Sequence, residues 1–257
     1  MTRAAGIANR WPPPPDRFFL ADARNRFGHD GLPVIIFDCD GVLIDSEPLA
    51  CRVSAEELSR AGFSISAGEV ARRFTGMSDA GMFAAIERET GRPLPGDLDE
   101  RIHDRLMAVF RRELEAVEGV RGVLDHLDET GRRYCVASSS TPERLRTSLG
   151  QVGLFDRFAA VFSASMVTRG KPAPDPFLFA AQNMAVAPAD CIVIEDSVPG
   201  VTAARAAGMT AIGFFGAGHC LAGHDRSLTE AGAAAVFDDM AGLPVLLQEL
   251  TEVQNVV

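Results

Sequence analysis

The sequence predicts an α/β fold in which a Rossmann-like, doubly wound parallel sheet core carries an inserted all-helical cap domain. Three observations lead to this fold class. The run Val34-Ile35-Ile36-Phe37 is apolar at every position, as in a strand that is covered on both faces. Apolar residues in the segment 47–117 recur at helical spacing. From Gly119 onward, strand and helix patterns alternate, as in a parallel sheet that the helical segment interrupts after its first strand.

The helical segment contains recognisable helix boundaries. Ser66 and Glu69 have the spacing of a capping box, in which each side chain accepts a hydrogen bond from the other residue's backbone N–H. Ser78 is predicted to cap a helix that Gly91 ends. A further helix is predicted from the spacing of Ile102, Leu106, Val109, Phe110, Leu114 and Val117. We therefore predict a helical cap over residues 47–117.

The rest of the chain predicts the sheet core and one extension. Further strands are predicted at 134–138, 160–163, 191–195 and 210–214. Helices are predicted at 120–130, 142–152, 175–186 and 199–207. The core then comprises residues 33–46 and 118–257, and residues 1–32 form a flexible N-terminal extension.

Composition and charge exclude several classes of protein. The chain has 257 residues, of which 47% are hydrophobic and 23% charged, as in a soluble globular protein of one large domain, or of one domain and a smaller one. No apolar run approaches the roughly 20 residues that a membrane-spanning helix requires. The net charge of −10 repels polyphosphate surfaces, so nucleic acid is not expected as a partner. Nothing in the sequence sets the oligomeric state.

Cysteine usage predicts a cytoplasmic protein with reduced thiols. The chain has five cysteines and no C-x-x-C pair, and its first thirty residues lack the apolar segment of a signal peptide. A reactive cysteine paired with a histidine is the alternative. It is disfavoured because no histidine lies in a recognisable nucleophile context, and His219 and His224 are interpreted as surface residues.

Polar residues lie at the ends of the predicted strands. They are Asp38 and Asp40 after the first strand, Ser138-Ser139-Ser140 after the second, Lys171 on the loop after the third, and Glu195-Asp196 after the fourth. In open α/β sheets, ligands bind beyond the carboxyl ends of the strands. We therefore expect these carboxylates, hydroxyls and one ammonium group to converge at a single site.

The acidic residues predict a metal site. Asp38 and Asp40 are two positions apart, so their side chains leave the same face of an extended chain. Each pair of like charges about 4 Å apart costs on the order of 4 kcal/mol at an effective dielectric constant near 20, and Asp196 adds a third carboxylate. A helix cap or a turn is the alternative explanation for any one of these acids. Together, their oxygen donors favour Mg²⁺ over zinc or copper.

The same residues carry a family resemblance. Four runs are involved: Asp38-Cys39-Asp40-Gly41-Val42-Leu43-Ile44-Asp45-Ser46, then Ser138, then Lys171-Pro172-Ala173-Pro174-Asp175, and finally Glu195-Asp196-Ser197 with Gly200. In order and spacing they resemble the four motifs of the haloacid dehalogenase-like superfamily. The resemblance is greatest to the branch of phosphatases and β-phosphoglucomutase-like enzymes with a helical cap after the first motif. It extends over about residues 34–240.

The resemblance implies catalytic roles for two residues. Asp38 would be the nucleophile that attacks phosphorus and forms an aspartyl-phosphate. Asp40 would protonate the leaving oxygen and then deprotonate the water that hydrolyses the intermediate. The acid role requires a raised pKa of Asp40.

The resemblance also implies binding roles. Ser138, Ser139 and Lys171 would hold the phosphoryl oxygens, and the lysine would offset charge as a dianion approaches. The implied metal is Mg²⁺, with Asp38, the backbone carbonyl of Asp40, Asp196 and, less directly, Glu195 as its ligands. The expected activity is a phosphatase reaction on a small phosphorylated metabolite, in particular a sugar phosphate.

Three alternatives remain at this point. Halide displacement would not require Asp40 or an acidic metal site, and a non-catalytic scaffold would require neither. A β-phosphoglucomutase-type phosphosugar mutase needs a fixed cation in the cap for a second phosphate. Relatives of that kind carry a histidine and an arginine where this chain has Ala50 and Asp79, although Arg72, Arg73 or Arg101 could substitute. The turn 75–78 is the candidate specificity loop.

Overall fold

The structure is a computed structural model that describes residues 32–74, 77 and 79–254. Almost all of the predicted N-terminal extension lies outside the described residues, as does Ser78, the predicted N-cap of a helix. Of the candidate specificity loop, only Met77 is described, and its side chain is exposed. No helix in the described part of the chain is both long and apolar enough to cross a membrane.

The core is a six-stranded, fully parallel sheet with the strand order β3-β2-β1-β4-β5-β6. The strands are β1 (Val34–Phe37), β2 (Tyr134–Ser138), β3 (Val161–Ser163), β4 (Cys191–Glu195), β5 (Thr210–Phe214) and β6 (Ala235–Phe237). The first five agree with the predicted strands to within one residue. Strand β6 was not predicted because it has three residues, all only partly buried.

Ten helices of α type surround and interrupt the sheet within the described residues. They are α1 (Glu47–Arg60), α2 (Ala67–Phe74), α3 (Asp79–Thr90), α4 (Leu98–Glu113), α5 (Val120–Glu129), α6 (Pro142–Gln151), α7 (Asp175–Asn183), α8 (Val198–Ala206), α9 (His224–Glu230) and α10 (Leu243–Gln254). Helices α1 to α4 follow β1 without an intervening strand, which confirms the all-helical insertion.

Local sequence signals explain several helix boundaries. The predicted capping box before α2 is present, because Ser66 N–H donates to Glu69 Oε2 at 2.9 Å and Glu69 N–H donates to Ser66 Oγ at 3.2 Å. Helix α4 ends at Glu113, earlier than predicted, because Leu114 is extended with φ −71° and ψ 129°. Helix α7 also ends early, and Ala185 beyond it has a positive φ of 52°.

Two apolar layers hold the sheet. Alternate residues of β1 point to opposite faces, so Ile35 and Phe37 pack in one layer while Val34 and Ile36 pack in the other. The layer around Ile35 continues into the buried side chains of α1 to α4, whereas the other layer is formed with α7 and α8. The sheet is therefore covered on both faces, as the continuous apolar run of β1 predicts.

Candidate active site

The strand order defines one crevice at the edge of the sheet. Strand β1 lies between β2 and β4, and the chain connections diverge on either side of it. The amide of Asp38 donates to the carbonyl of Ile194 at 2.9 Å, which brings the carboxyl ends of β1 and β4 together. Ligands bind at such switch points in open α/β sheets. The residues that follow β1 and β4 therefore meet where a ligand is expected.

Three buried carboxylates occupy this crevice. One oxygen from each of Asp38, Glu195 and Asp196 lies within 4.8 Å of the others. All three residues are buried, so water screens their mutual repulsion poorly. A hard divalent cation with oxygen ligands fits this set of donors. The predicted convergence is thus present for Asp38, Glu195 and Asp196, whereas the Asp40 carboxylate is not part of this group.

Lys171 is the cation at the centre of the cluster. Its Nζ donates to Asp38 Oδ1 at 2.8 Å, to Glu195 Oε1 at 2.6 Å and to the carbonyl of Ala137 at 3.1 Å. The side chain is only 4% exposed. Burial alone would lower the pKa of Lys171, but the two carboxylates outweigh it and hold that pKa above its ordinary value. Lys171 is therefore a fixed positive charge beside Asp38.

Asp38 remains difficult to ionise without a further cation. Burial raises its pKa well above the ordinary value, Lys171 opposes the increase, and the Glu195 and Asp196 carboxylates add to it. Lys171 thus offsets only part of the cost of burying Asp38 beside two further carboxylates. This imbalance is what a metal ion would correct.

Glu195 is placed to support Lys171. It is fully buried, and its second oxygen, Oε2, accepts hydrogen bonds from the N–H and the hydroxyl of Ser197, both at 2.9 Å. Gly200 packs directly against this carboxylate, since a Cβ at that position would lie 1.8 Å from Glu195 Oε1. Both oxygens of Glu195 are therefore engaged within the protein.

Asp40 differs from the sequence-based expectation. Its Oδ1 accepts hydrogen bonds from Ser46 Oγ at 2.6 Å and from Arg144 Nη2 at 3.0 Å, and its Oδ2 accepts one from Ser140 Oγ at 2.6 Å. Burial raises the pKa of Asp40, but these three donors more than offset burial and lower that pKa. The expectation of a raised pKa for Asp40 is therefore wrong.

Arg144 was missed in the sequence because a charged residue in the first turns of a helix has no distinctive signal. It lies on α6, and its guanidinium lies 5.4 Å from the ring centroid of Phe110 on α4. Arg144 thus joins the core carboxylate Asp40 to the helical insertion. The cap arginines considered in the sequence lie elsewhere: Arg73 pairs with Glu89, Arg101 pairs with Glu57 and Asp97, and Arg72 is exposed.

His219 also contradicts its interpretation as a surface residue. Its side chain is 3% exposed, and its Nε2 lies 3.0 Å from Asp196 Oδ2. Burial lowers the pKa of His219, but the hydrogen bond and the charge of Asp196 outweigh burial and raise that pKa to about 10. His224 is half-buried, and its Nε2 lies 2.5 Å from the backbone carbonyl of Asp196. Applying the strand-end rule to β5 could have identified both histidines.

The space beside Asp196 is available only because residue 41 is glycine. A Cβ at Gly41 would lie 2.0 Å from Asp196 Oδ2 and 2.8 Å from the ring of His219. Gly41 also has a φ of +78°, a backbone conformation that residues with a side chain rarely adopt. The first motif therefore turns tightly enough to bring Asp40 and Asp196 to the same crevice.

The two predicted phosphate-binding serines have different surroundings. Ser138 is buried, and its Oγ accepts a hydrogen bond from the amide of Ser140 at 3.1 Å. Ser139 is exposed at the carboxyl end of β2. Both lie at the same sheet edge as Asp38, which agrees with their predicted placement.

Glu47, the first residue of α1, is a further acid of the site. Burial raises its pKa to about 7, and the Asp40 carboxylate adds to that increase. The charge of Asp196 acts in the same direction, while His219 and Arg144 oppose it. Glu47 was not singled out in the sequence, because an acid in the first turn of a helix is common.

We expect Glu47 to make the metal-free protein less stable as the pH rises. An unfolded glutamate loses its proton near pH 4.5 and the folded one near pH 7, so the free energy of unfolding falls between these values. In Glu47→Gln, the decrease in the free energy of unfolding over this pH range should be smaller by about 1–2 kcal/mol. Thermal unfolding in chelator at pH 5 and pH 8 tests this expectation. The control is Glu143→Gln, because Glu143 is an exposed acid in the first turn of α6. An equal pH dependence in Glu47→Gln and the wild type would contradict the assignment.

The chain is similar to known proteins over most of its length. A family model described as haloacid dehalogenase-like hydrolase matches residues 32–208. A protein of Thermotoga maritima named phosphorylated carbohydrates phosphatase is 30% identical over 223 residues, which are 85% of this chain and 100% of that relative. The match therefore includes the helical insertion as well as the sheet.

Two solved structures share the fold. A haloacid dehalogenase-like protein of unknown function from Agrobacterium tumefaciens has 39% identity and a TM-score of 0.79, covering 86% of this chain and 100% of that one. A structure titled a putative β-phosphoglucomutase from Thermotoga maritima has 26% identity and a TM-score of 0.70, covering 85% of this chain and 99% of that one. Both likenesses extend over almost the complete neighbouring chain.

Proposed function

The chain belongs to the haloacid dehalogenase-like hydrolase family, and on that premise we propose that it is a Mg²⁺-dependent phosphatase acting through an aspartyl-phosphate. Its substrate would be a small phosphorylated metabolite, in particular a sugar phosphate. The observation that carries the proposal is the buried Lys171 ammonium, 2.8 Å from Asp38 Oδ1 at the end of β1. The relative named phosphorylated carbohydrates phosphatase supports the substrate class.

The first half-reaction would transfer the phosphoryl group to the protein. An oxygen of Asp38 would form a bond to phosphorus while the bond from phosphorus to the leaving oxygen breaks. Lys171, with Ser138 and Ser139, would hold the phosphoryl oxygens and offset their charge. Such positioning and charge compensation provide most of the catalysis in phosphoryl transfer.

Asp40 would move protons in both half-reactions. It would give a proton to the leaving oxygen, and then take one from the water that attacks the aspartyl-phosphate. Arg144 pairs with Asp40 and lowers the pKa of that carboxyl group. A phosphoryl dianion in the crevice adds negative charge beside Asp40 and competes for the Arg144 guanidinium, and both effects raise the pKa of Asp40 toward that of an acid.

The acidic cluster would hold the metal through Asp38, Asp196 and the backbone carbonyl of Asp40. When bound, Mg²⁺ would supply positive charge to the phosphoryl oxygens. Glu195 was predicted as a less direct ligand, and its bonds to Lys171 and Ser197 support the role of a positioning residue instead. Its carboxylate would fix the ammonium group of Lys171 toward Asp38.

We expect chelation to abolish turnover and Mg²⁺ to restore it. Ca²⁺ should bind the same cluster without restoring activity, because it accepts longer bonds and more ligands and so allows a carboxylate to bind it through both oxygens. Asp38 would then no longer be aligned to attack phosphorus. Hydrolysis of a generic aryl phosphate with each ion, beside thermal shifts that report binding, provides the test. Equal rates with both ions, or full activity after chelation, would count against the metal assignment.

A phosphosugar mutase of the β-phosphoglucomutase type is the alternative function. It would have to bind a second phosphate in the cap, where this chain has Ala50 and Asp79 at the aligned positions. Arg73 and Arg101 already form ion pairs with acidic residues of α1 to α4. Their positive charges are therefore compensated and are not free to bind a second phosphate. Both observations support the phosphatase.

We expect inorganic phosphate to be released from sugar monophosphates without a bisphosphate activator. The acid at position 79 would repel a second phosphate, so a bisphosphate intermediate would bind weakly. A panel of phosphorylated sugars, assayed both for phosphate release and for isomer interconversion, distinguishes the two activities. Interconversion of hexose 1- and 6-phosphates that is faster than phosphate release would establish the mutase instead.

We further propose that residues 47–117 act as a cap that closes over the crevice and excludes water during transfer. The contact between Arg144 and Phe110 supports this, because it links the site to α4. A cytoplasmic location and the absence of a nucleic-acid partner stay predictions from composition.

A further inference from the structure

A second group of metal-binding side chains lies beside the acidic crevice. It consists of His219, Cys220 and His224, on the loop after β5 and at the start of α9. One ligand atom of each residue lies within 4.8 Å of the others. His219 is buried, whereas Cys220 and His224 are half-buried, so an ion from solvent can reach the group. The proposed phosphatase mechanism uses neither Cys220 nor His224.

The chemistry of this group differs from that of the acidic cluster. One thiol and two imidazoles are borderline or soft ligands, which favour Zn²⁺ over Mg²⁺. Burial raises the pKa of Cys220, but the neighbouring imidazoles of His219 and His224 outweigh burial and lower that pKa. The thiolate is the form that binds metal.

The spacing of the ligand atoms also suits zinc. Tetrahedral zinc with ordinary Zn–N and Zn–S bonds places a nitrogen and a sulfur ligand about 3.6 Å apart. In the structure, Cys220 Sγ and His219 Nε2 are 3.6 Å apart. His219 and His224 are five positions apart, a separation common among zinc-binding histidine pairs. The local chain thus presents three ligands without rearrangement of the sheet.

We propose that His219, Cys220 and His224 form a binding site for Zn²⁺ or a cation of similar softness, and that occupation of this site inhibits the enzyme. The inhibition follows from the position of His219 Nε2, which lies 3.0 Å from Asp196 Oδ2. That nitrogen either carries the proton it donates to Asp196 or binds a cation through its lone pair, and it cannot do both. Zinc therefore removes a hydrogen bond that orients Asp196.

Equilibrium binding tests the site independently of catalysis. The full chain is saturated with Mg²⁺, so that the acidic cluster is occupied, and is titrated with Zn²⁺ against a chromophoric chelator. We expect one zinc ion per chain, with affinity at least about tenfold weaker in Cys220→Ser and in His224→Ala. His126→Ala, which removes a histidine from α5, should bind zinc as the wild type does. No saturable binding, or equal affinity in the wild type and Cys220→Ser, would overturn the proposal.

The inhibition rests on the proposed function and is measured separately. In the wild type, stoichiometric Zn²⁺ should raise the Mg²⁺ concentration needed for half-maximal aryl phosphate hydrolysis severalfold, and Cys220→Ser should be resistant. Equal inhibition of both proteins would place the inhibitory zinc in the acidic cluster and overturn the coupling. If no phosphate is hydrolysed at all, the proposed function fails, whereas the binding titration still decides whether the zinc site exists.

Discussion

Replacing Asp38 with asparagine is expected to abolish turnover while the protein stays folded. Asparagine has nearly the same shape as aspartate, but its amide cannot form the acyl-phosphate bond. Loss of a nucleophile of this kind lowers kcat by more than about 10⁴-fold. The fold should persist, because the substitution also removes one of three mutually repelling buried carboxylates, and Lys171 keeps Glu195 as its partner.

The measurement combines steady-state phosphate release with thermal unfolding. Asp104→Asn, at an exposed position of α4, is the matched control and should keep both activity and melting temperature. Asp40→Asn should also lose turnover, yet it retains the proposed nucleophile, Asp38, and should accumulate phosphoenzyme from a substrate with an activated leaving group. Intact-mass analysis separates the two variants. Near wild-type activity in Asp38→Asn would remove the covalent mechanism.

Replacing Lys171 with methionine is expected to have the largest effect on stability. The ammonium group is the shared partner of two buried carboxylates, Asp38 and Glu195, at 2.8 and 2.6 Å. Removing one member of a buried ion pair costs about 3–5 kcal/mol, because the remaining charge is left uncompensated. In chelator, the melting temperature should fall by on the order of 10 °C. Activity should be lost as well, since the phosphoryl group loses its fixed cation.

Two controls separate the charge effect from simple loss of packing. Mg²⁺ should restore part of the lost stability, because a bound cation compensates the same carboxylates. The double variant Asp38→Asn with Lys171→Met should be less destabilised than Lys171→Met alone, since one unpaired charge is gone. A melting temperature for Lys171→Met that equals the wild type in chelator would show that the lysine does not compensate the cluster.

The sequence was sufficient to predict the elements that a continuous apolar pattern marks. Strand β1 and the acidic residues after it could be predicted, because a buried parallel strand is apolar throughout and its end is recognisable from Asp38 and Asp40. The convergence of Lys171 on those acids followed from a general rule about strand ends. Strand β6 and helix α9 could not be predicted in this way, because their patterns are short or only partly buried.

The residues missed in the site act through contacts that no local pattern encodes. Arg144 reaches Asp40 across 104 positions, and its charge lowers a pKa that the acidic surroundings suggested would be raised. His219 lies on the glycine-rich loop after β5, which suggested a surface residue, yet it contacts Asp196 directly after β4. Both errors concern the partner of a charged group, which depends on tertiary structure rather than on residue type.

The central position of β1 in the sheet also affects how the protein is made. Asp38 is synthesised first, and its neighbour Asp196 follows about 160 residues later. At ordinary elongation rates the ribosome needs roughly 8–30 s to cover that distance. During this interval β1 lacks β4, and its apolar run depends on β2 and the nascent chain's own helices, or on a chaperone, for protection. The acidic cluster therefore assembles only after β4 has been synthesised.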